Sequence, residues 1–451
     1  MKFLGRISFA FLMGWVITSY NSQGQTSQNV TFLGNFNGYP TIGYNDCWGY
    51  TAPDGREYAL LGVLNGTSVV DITDAPTFTE IGFVSSNTST WKDIKTYRNY
   101  AYVVTEANSG LQVIDLSYLP DSVHLVTTYT GFSSSHNINI DTANAMLYAE
   151  GNGAQPVIAI SLADPINPVQ VSFFGISCHD VYARDNIVYT SDGSFGSIGV
   201  YDLSTPSSPV LVKRFNVPNP GYVHNAWPSD DNRYLMTTEE TTGKTVKLWD
   251  ISDINNPVIT DDYLASPGIA HNTHVKGNFA YISHYVDGLR IVDISNPDSI
   301  FEAGYYDTFP GPGGSFSGCW GAFPFFGSGK VIASDRSTGL YVVYFAGSVT
   351  GVKVPGTTPE KFVLNQNYPN PFNPTTTIRF AIPEAGKVHL DVFDVLGRLV
   401  RRLVDDEFSA GEYSVQWNGA NDLAERVVSG TYFYRLAALG SSSTRKMILM
   451  Q

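Results

Sequence analysis

Gly288-Leu-Arg-Ile-Val-Asp-Ile-Ser-Asn-Pro297 (GLRIVDISNP) is one of seven variants of a single phrase. The others are GTSVVDITDAP (66–76), GLQVIDLSYLP (110–120), PVIAISLADP (156–165), GSIGVYDLSTP (196–206), KTVKLWDISDINNP (244–257) and a truncated GLYVVYF (339–345). Each is a short apolar run, and most close on Asp and Pro. The copies recur every ~43–50 residues, the spacing of propeller blades or solenoid units.

Working outward from the second copy, WKDIKTY, YAYVVTE, GLQVIDL and HLVTTY between Trp91 and Tyr129 read as four antiparallel strands, the content of one blade. Asp71, Asp115, Asp202, Asp250 and Asp293 end the third strands, where a carboxylate caps the turn and a following Pro ends the pairing. Ala159 and Tyr344 break this pattern. The seventh unit lacks a fourth strand after Phe345, whereas VTFLGNF (Val30–Phe36) resembles the fourth strands TEIGFV and FEAGYY. The expectation is an all-β, seven-bladed β-propeller over residues 26–346, closed by this N-terminal strand. Closure removes an open sheet edge, which a solenoid would not require.

The segment AGSVTGVKVPGTTPEK reads as a linker, assigned to 347–361. From residue 362 to 451, TTTIRFAIP, KVHLDVFD, GRLVRRLV, GEYSVQWNG and GTYFYRLAAL are spaced as strands of a small Ig-like β-sandwich. At the other end, Lys2 and Arg6 precede the apolar ISFAFLMGWVI and a polar stretch, which reads as a signal peptide over residues 1–25. The apolar run is short for a membrane span, and no other segment matches it. The mature chain is therefore expected to carry no transmembrane segment.

The formal net charge of −14, with no basic patch, argues against nucleic acid and anionic membranes as partners. Three cysteines make no disulfide scaffold. Cys47 and Cys319 align one residue before Trp48 and Trp320 in neighbouring blades, which makes a Cys47–Cys319 disulfide an expectation for an exported protein. Cys178 lies far around the ring.

The terminal module resembles the type A sorting domain of the type IX secretion system. NYPNPFNPTTTIRF (367–380), DVLGRLV (394–400), GEYSVQWNG (411–419) and SGTYFYRL (429–436) carry the resemblance. It implies passage through the periplasm, contact with the type IX machinery, and release outside the cell or attachment to its surface. The repeats resemble the LVIVD repeat, and the whole chain is similar to the choice-of-anchor B family. That family brings no established reaction.

One constellation bears chemistry. Aligned on their turns, the innermost strands begin with Trp48, Lys92, His136, His179, His224, His271 and Trp320, so four of the eight histidines share one position. The next position reads Gly49, Asp93, Asn137, Asp180, Asn225, Asn272 and Gly321. Counting across each hairpin sets His136 near Glu150, His179 near Asp192 and His224 near Glu239, with His274 adding an imidazole. Neutral imidazoles and carboxylates at one channel mouth suit a divalent metal such as Zn²⁺ or Mn²⁺, and a carboxylate behind each His would orient its ring. The same pairs also serve as acid–base dyads, or as polar groups satisfied by duplication with no ligand. Gly193, Gly196 and Gly199 open no helix and form no phosphate loop. The chain has no Gly-x-Ser-x-Gly elbow, HExxH or EF-hand loop. Two readings stay open: an exported, non-catalytic module binding a protein, glycan or metal, and a metal-dependent extracellular hydrolase or lyase built on the histidines.

Overall fold

The computed structural model describes residues 25–450 except 267, 312, 313, 315, 346–351, 355–358, 360, 368, 373–375, 409, 418 and 422–425. The signal peptide expected over 1–25, apart from Gln25, and most of the linker lie outside the described residues. Every regular element among them is a strand.

Seven antiparallel sheets follow one another along the chain, each four strands wide apart from one added strand in the sixth. The second is typical. Lys92–Tyr97, Tyr100–Thr105, Leu111–Asp115 and His124–Tyr129 lie side by side in sequence order. The innermost strand of each sheet lies against that of the next, and Cys319–Phe323 of the seventh lies against Tyr44–Thr51 of the first.

The third strands explain the repeated phrase. Gly66–Asp71 and Gly339–Phe345 are buried along their whole length. Sheets pack on both of their faces, so they read as continuous apolar runs and not as alternation. Fourth strands such as Val169–Phe174 lie at the rim and alternate in exposure. Apolar side chains interlock between neighbouring sheets: Tyr281, Leu289 and Ile291 of the sixth meet Val331, Val343 and Phe345 of the seventh.

Val30–Phe36 pairs with Gly339–Phe345, so the N-terminal strand is the fourth strand of the seventh sheet. Its register slips between Phe32 and Gly34, and all six other third–fourth strand pairs carry a slip at the corresponding place. Ahead of it, Ser27–Gln28 adds a fifth strand to the sixth sheet beside Phe301–Tyr306. The chain thus clasps two adjacent sheets before its first hairpin.

The disulfide expectation is corrected. Cys47, Cys178 and Cys319 are free thiols. Cys47 and Cys319 are buried, Ser334 hydrogen-bonds to the Cys47 thiol, and the Cys319 Sγ donates to the Gly321 carbonyl at 3.8 Å.

The C-terminal strands form two further four-stranded sheets around buried Trp417, Tyr434, Phe372 and Leu390. Within the expected linker, Val352–Val354 pairs with Gly411–Trp417 as an edge strand of this domain.

Candidate functional site

The histidines of the third to sixth sheets do converge. Ring centroids stand 4.4 Å apart for His136–His179, 4.4 Å for His179–His224 and 4.3 Å for His224–His271. The circuit continues through Trp320 at 4.3 Å and Trp91 at 4.6 Å, and returns to His136 at 6.1 Å. Backbone bulges help to aim these side chains inward. His224 and Trp320 are skipped in the strand pairing, which turns them out of the sheet plane.

The alignment of the first two sheets is corrected. Lys92 does not join the ring; its Nζ donates to Ser86 Oγ at 2.7 Å, and Trp91 takes the ring place. Trp48 lies in another layer, over Phe323 and His274. The inter-sheet hydrogen bonds show the true register. Asp93 accepts from Ile138 N, Asn137 from Val181 N, and Asn225 from Thr273 N. In the first sheet the corresponding acceptor is Asp46, bonded to Ile94 N at 3.1 Å. Asn45 and Asp46 therefore hold the two inner positions assigned from sequence to Trp48 and Gly49. A bulge between Tyr44 and Cys47 hides this offset.

The His–carboxylate pairing is corrected as well. Glu150 accepts the backbone N–H of His136, while the His136 Nδ1 meets Glu106 Oε1 at 2.7 Å. Asp192 is held by Arg214, Ser197 and Thr190. Glu239 is held by Lys247 Nζ at 2.7 Å and by Gly221 N. These imidazoles precede or bulge from the paired strands, so they do not follow the hairpin register. Instead, His179 Nδ1 meets the Tyr222 hydroxyl at 3.0 Å, and His271 Nδ1 donates to the Trp320 carbonyl at 2.6 Å. His274 sits three residues deeper, between Trp227 and Trp48.

What remains at the centre is a set of ring nitrogens without partners. His179 Nε2, His271 Nε2 and at least one nitrogen of His224 are buried and make no hydrogen bond. One ligand atom each from His136, His179 and His224 lie within 4.8 Å of one another, as do atoms of His224, His271 and Glu240. Burial pushes His179 and His224 well below the ordinary imidazole value and His271 down to about 3, so these rings are neutral at pH 7. At His136 burial pulls the same way, but Glu106, with the charges of Glu150 and Asp180, offsets it and the value rises.

Beneath the ring, a cavity of about 10 Å³ is bounded by His136, His224, His271, Asp46, Asp93 and Asp180. That is room for one water-sized body. Burial, then the charge of Asp93, raises Asp46 and lifts Asp180 to about 7. Lys95, ion-paired with Asp93, is a cation beside them, and Lys92 also borders the cavity. Gly321 closes this layer in the seventh sheet, where a Cβ would come within 2.5 Å of Asp46 Oδ1.

The sequence reading missed Trp91, Glu106, Tyr222 and Glu240. Tyr222 lies two residues before His224 and Glu240 directly after Glu239, but nothing in the repeat marks them, because each reaches a neighbouring sheet.

Comparison with known proteins accords with the repeat. A model of the LVIVD repeat matches residues 90–130, 178–217 and 267–308, covering the second, fourth and sixth sheets. The chain carries LVIVD repeats. A model of the FlgD Ig-like domain matches residues 372–442. No curated protein matches the chain. Among solved structures, it is similar to PorZ of Porphyromonas gingivalis, described as an essential bacterial surface component of the type IX secretion system. That match has TM-score 0.51 and 14% identity, and covers 92% of this chain and 61% of PorZ. A second similarity is to Kuenenia stuttgartiensis hydrazine synthase, with TM-score 0.51 and 13% identity, covering 68% of this chain and 96% of that one. At these identities the likeness is one of fold: a propeller-like all-β architecture.

Proposed function

We propose that the chain is an exported bacterial surface protein whose N-terminal domain, a closed seven-bladed propeller, is a binding module holding a divalent transition metal at one channel mouth. The observation that carries the metal is the set of unpartnered, buried imidazole nitrogens on His179, His224 and His271. Their arrangement is that of metal ligands. On His136, His179 and His271 one nitrogen is fixed by Glu106, Tyr222 or a carbonyl, which orients the ring and leaves the other nitrogen to bind. Neutral nitrogen donors with a nearby carboxylate, Glu240, suit Zn²⁺ and its neighbours. Burying such nitrogens without any partner otherwise costs about 1–3 kcal/mol each.

Binding is favoured over hydrolysis or lysis by the state of the carboxylates. Glu150, Asp192 and Glu239 are engaged by backbone, Arg214 and Lys247, Glu106 by His136, and Glu240 by the Tyr285 hydroxyl at 2.5 Å. Each of these five carboxylates already holds a hydrogen-bond or ion-pair partner.

Closure of the ring is supported by the pairing of Val30–Phe36 with Gly339–Phe345 and by the contact of the seventh sheet with the first. Surface delivery is supported by the sorting-domain resemblance of residues 362–451 and by the fold likeness to PorZ. The sorting domain would engage the type IX machinery, with the cargo passing through the periplasm.

The test is elemental analysis of the full mature chain after equilibration with Zn²⁺, Mn²⁺ or Ni²⁺ and gel filtration. About one ion per chain is expected, lost in His179→Ala and His224→Ala with the circular dichroism unchanged. Metal-free protein recovered from metal-replete buffer would overturn the proposal.

A further inference from the structure

Three residues beyond the ring position, the innermost strands contribute a second layer: Trp48, Lys95, Asn139, Tyr182, Trp227, His274 and Phe323, counting the first sheet from Asn45. Along a strand, three residues span roughly 10 Å, so this layer belongs to the opposite end of the inner strands. A cavity of about 550 Å³ opens there, separate from the ring. Its size lies within the ~300–1,000 Å³ of small-molecule sites.

Its walls are aromatic. Trp227 stacks on Phe325 at 5.7 Å with planes 19° apart, and packs against Tyr182 at 4.5 Å. Trp48 meets Phe323 edge-on at 5.0 Å. His274 is wedged between the two tryptophans, and burial pushes it down to about 3, so it is neutral; its Nδ1 is buried with no partner. Polar groups interrupt the wall on one side. Asn139 Oδ1 is pinned by Ala183 N at 3.1 Å, which fixes its carboxamide on the wall. Thr96 and Asp185 stand nearby.

The charges decide what fits. Lys95 lies 4.4 Å from the Trp48 ring centre, so that face already holds a cation and repels a second. Its charge is met by Asp93, which leaves little to draw an anion. Arg184 is committed to the Ser229 carbonyl and Asn232. The wall thus offers flat apolar faces and polar groups whose charges, Lys95 and Arg184 against Asp141 and Asp185, balance, so neither a cationic nor an anionic ligand is favoured. A ligand with an apolar ring face and neutral hydroxyls around its edge satisfies both.

We infer that the channel mouth opposite the histidine ring, walled by Trp48, Tyr182, Trp227 and Phe325, is a binding site for a neutral pyranose, as a mono- or disaccharide end of a glycan. The site is independent of the metal at the ring.

The test is titration of the full mature chain, followed by tryptophan fluorescence and saturation-transfer NMR, with glucose, galactose, mannose, N-acetylglucosamine and their common disaccharides. Glucuronate, choline and indole serve as charged and aromatic probes. Saturable binding of at least one neutral sugar is expected, with Kd in the micromolar to millimolar range. Phe325→Ala, at a half-buried position, and Trp227→Phe should each weaken it about tenfold or more with the melting temperature held within a few degrees. His179→Ala, which removes the metal, should leave it unchanged. No saturable sugar binding, preferential binding of glucuronate, choline or indole, or unaltered binding in both aromatic variants would overturn the assignment.

Discussion

Asp202 accepts the backbone N–H of Ser204 at 2.7 Å, and Asp71, Asp115, Asp250 and Asp293 each accept that of the residue two positions on. This is the turn-capping role read from the repeat, and it was legible because the bond is local. Hydrogen bonds from Ser204 and Ser252 hold the Asp202 and Asp250 carboxyls below their ordinary value. A depressed carboxylate stabilises the fold above its unfolded-state pKa and loses that contribution as pH falls through the folded value. Melting temperature should therefore fall as pH drops from about 5 toward 2, and the slope should be shallower in Asp202→Asn and Asp250→Asn, which keep an acceptor but no charge. An equal slope in both variants would refute the assignment. The residues of the following inner position were also visible as a column of Asp and Asn, but their role was not. Asn225 bonds Thr273 N in the next sheet, a partner 48 residues away. Asn225→Ala should lower stability by about 1–3 kcal/mol in chemical denaturation, because it orphans a buried N–H.

Among the elements, the N-terminal strand has the largest consequence. Val30–Phe36 was legible as a fourth strand because it resembles the other fourth strands and the seventh unit lacks one. The slip shared by all seven third–fourth pairs strengthens that reading. Ser27–Gln28 was not legible, since two exposed polar residues carry no periodicity. Deleting residues 30–36 should destabilise the N-terminal domain by about 4 kcal/mol or more, because it strips cover from buried Tyr341, Val343 and Phe345. An unchanged thermal transition would show that the sheet needs no such strand. The hairpin count failed at the histidines for a related reason. It assumes uniform pairing, and the bulges at His224 and Trp320 break that uniformity where side chains turn inward.

For the whole molecule, the inner strands carry different chemistry at their two ends: imidazoles at one and an aromatic wall at the other, with buried carboxylates and Lys95 between. If the ring holds a metal, Zn²⁺ at about 100 times its Kd should stabilise the N-terminal domain by about 2.7 kcal/mol, and His224→Ala should abolish that shift in a thermal melt. Export belongs to this scale too. A chain ending at residue 361 should fold its seven sheets yet remain in the periplasm, while residues 362–451 fused to a periplasmic reporter should carry it to the cell surface. Fractionation reads both, and surface delivery of the truncated chain would refute the sorting role.

By itself the sequence determined the all-β class, the repeat, the places of most strands and the column of four histidines. Each is written in local order: apolar runs, turn residues and a spacing that the four-stranded sheets repeat. Only the tertiary structure decided the company those histidines keep. Trp91 stands in for Lys92, Glu106 and Tyr222 replace Glu150 and Asp192, Trp48 moves to the far end of the inner strands, and the cysteines stay free. These outcomes rest on contacts between sheets and on bulges that shift register by a residue or more. A one-residue shift turns a side chain from one face to the other, and no local pattern records it.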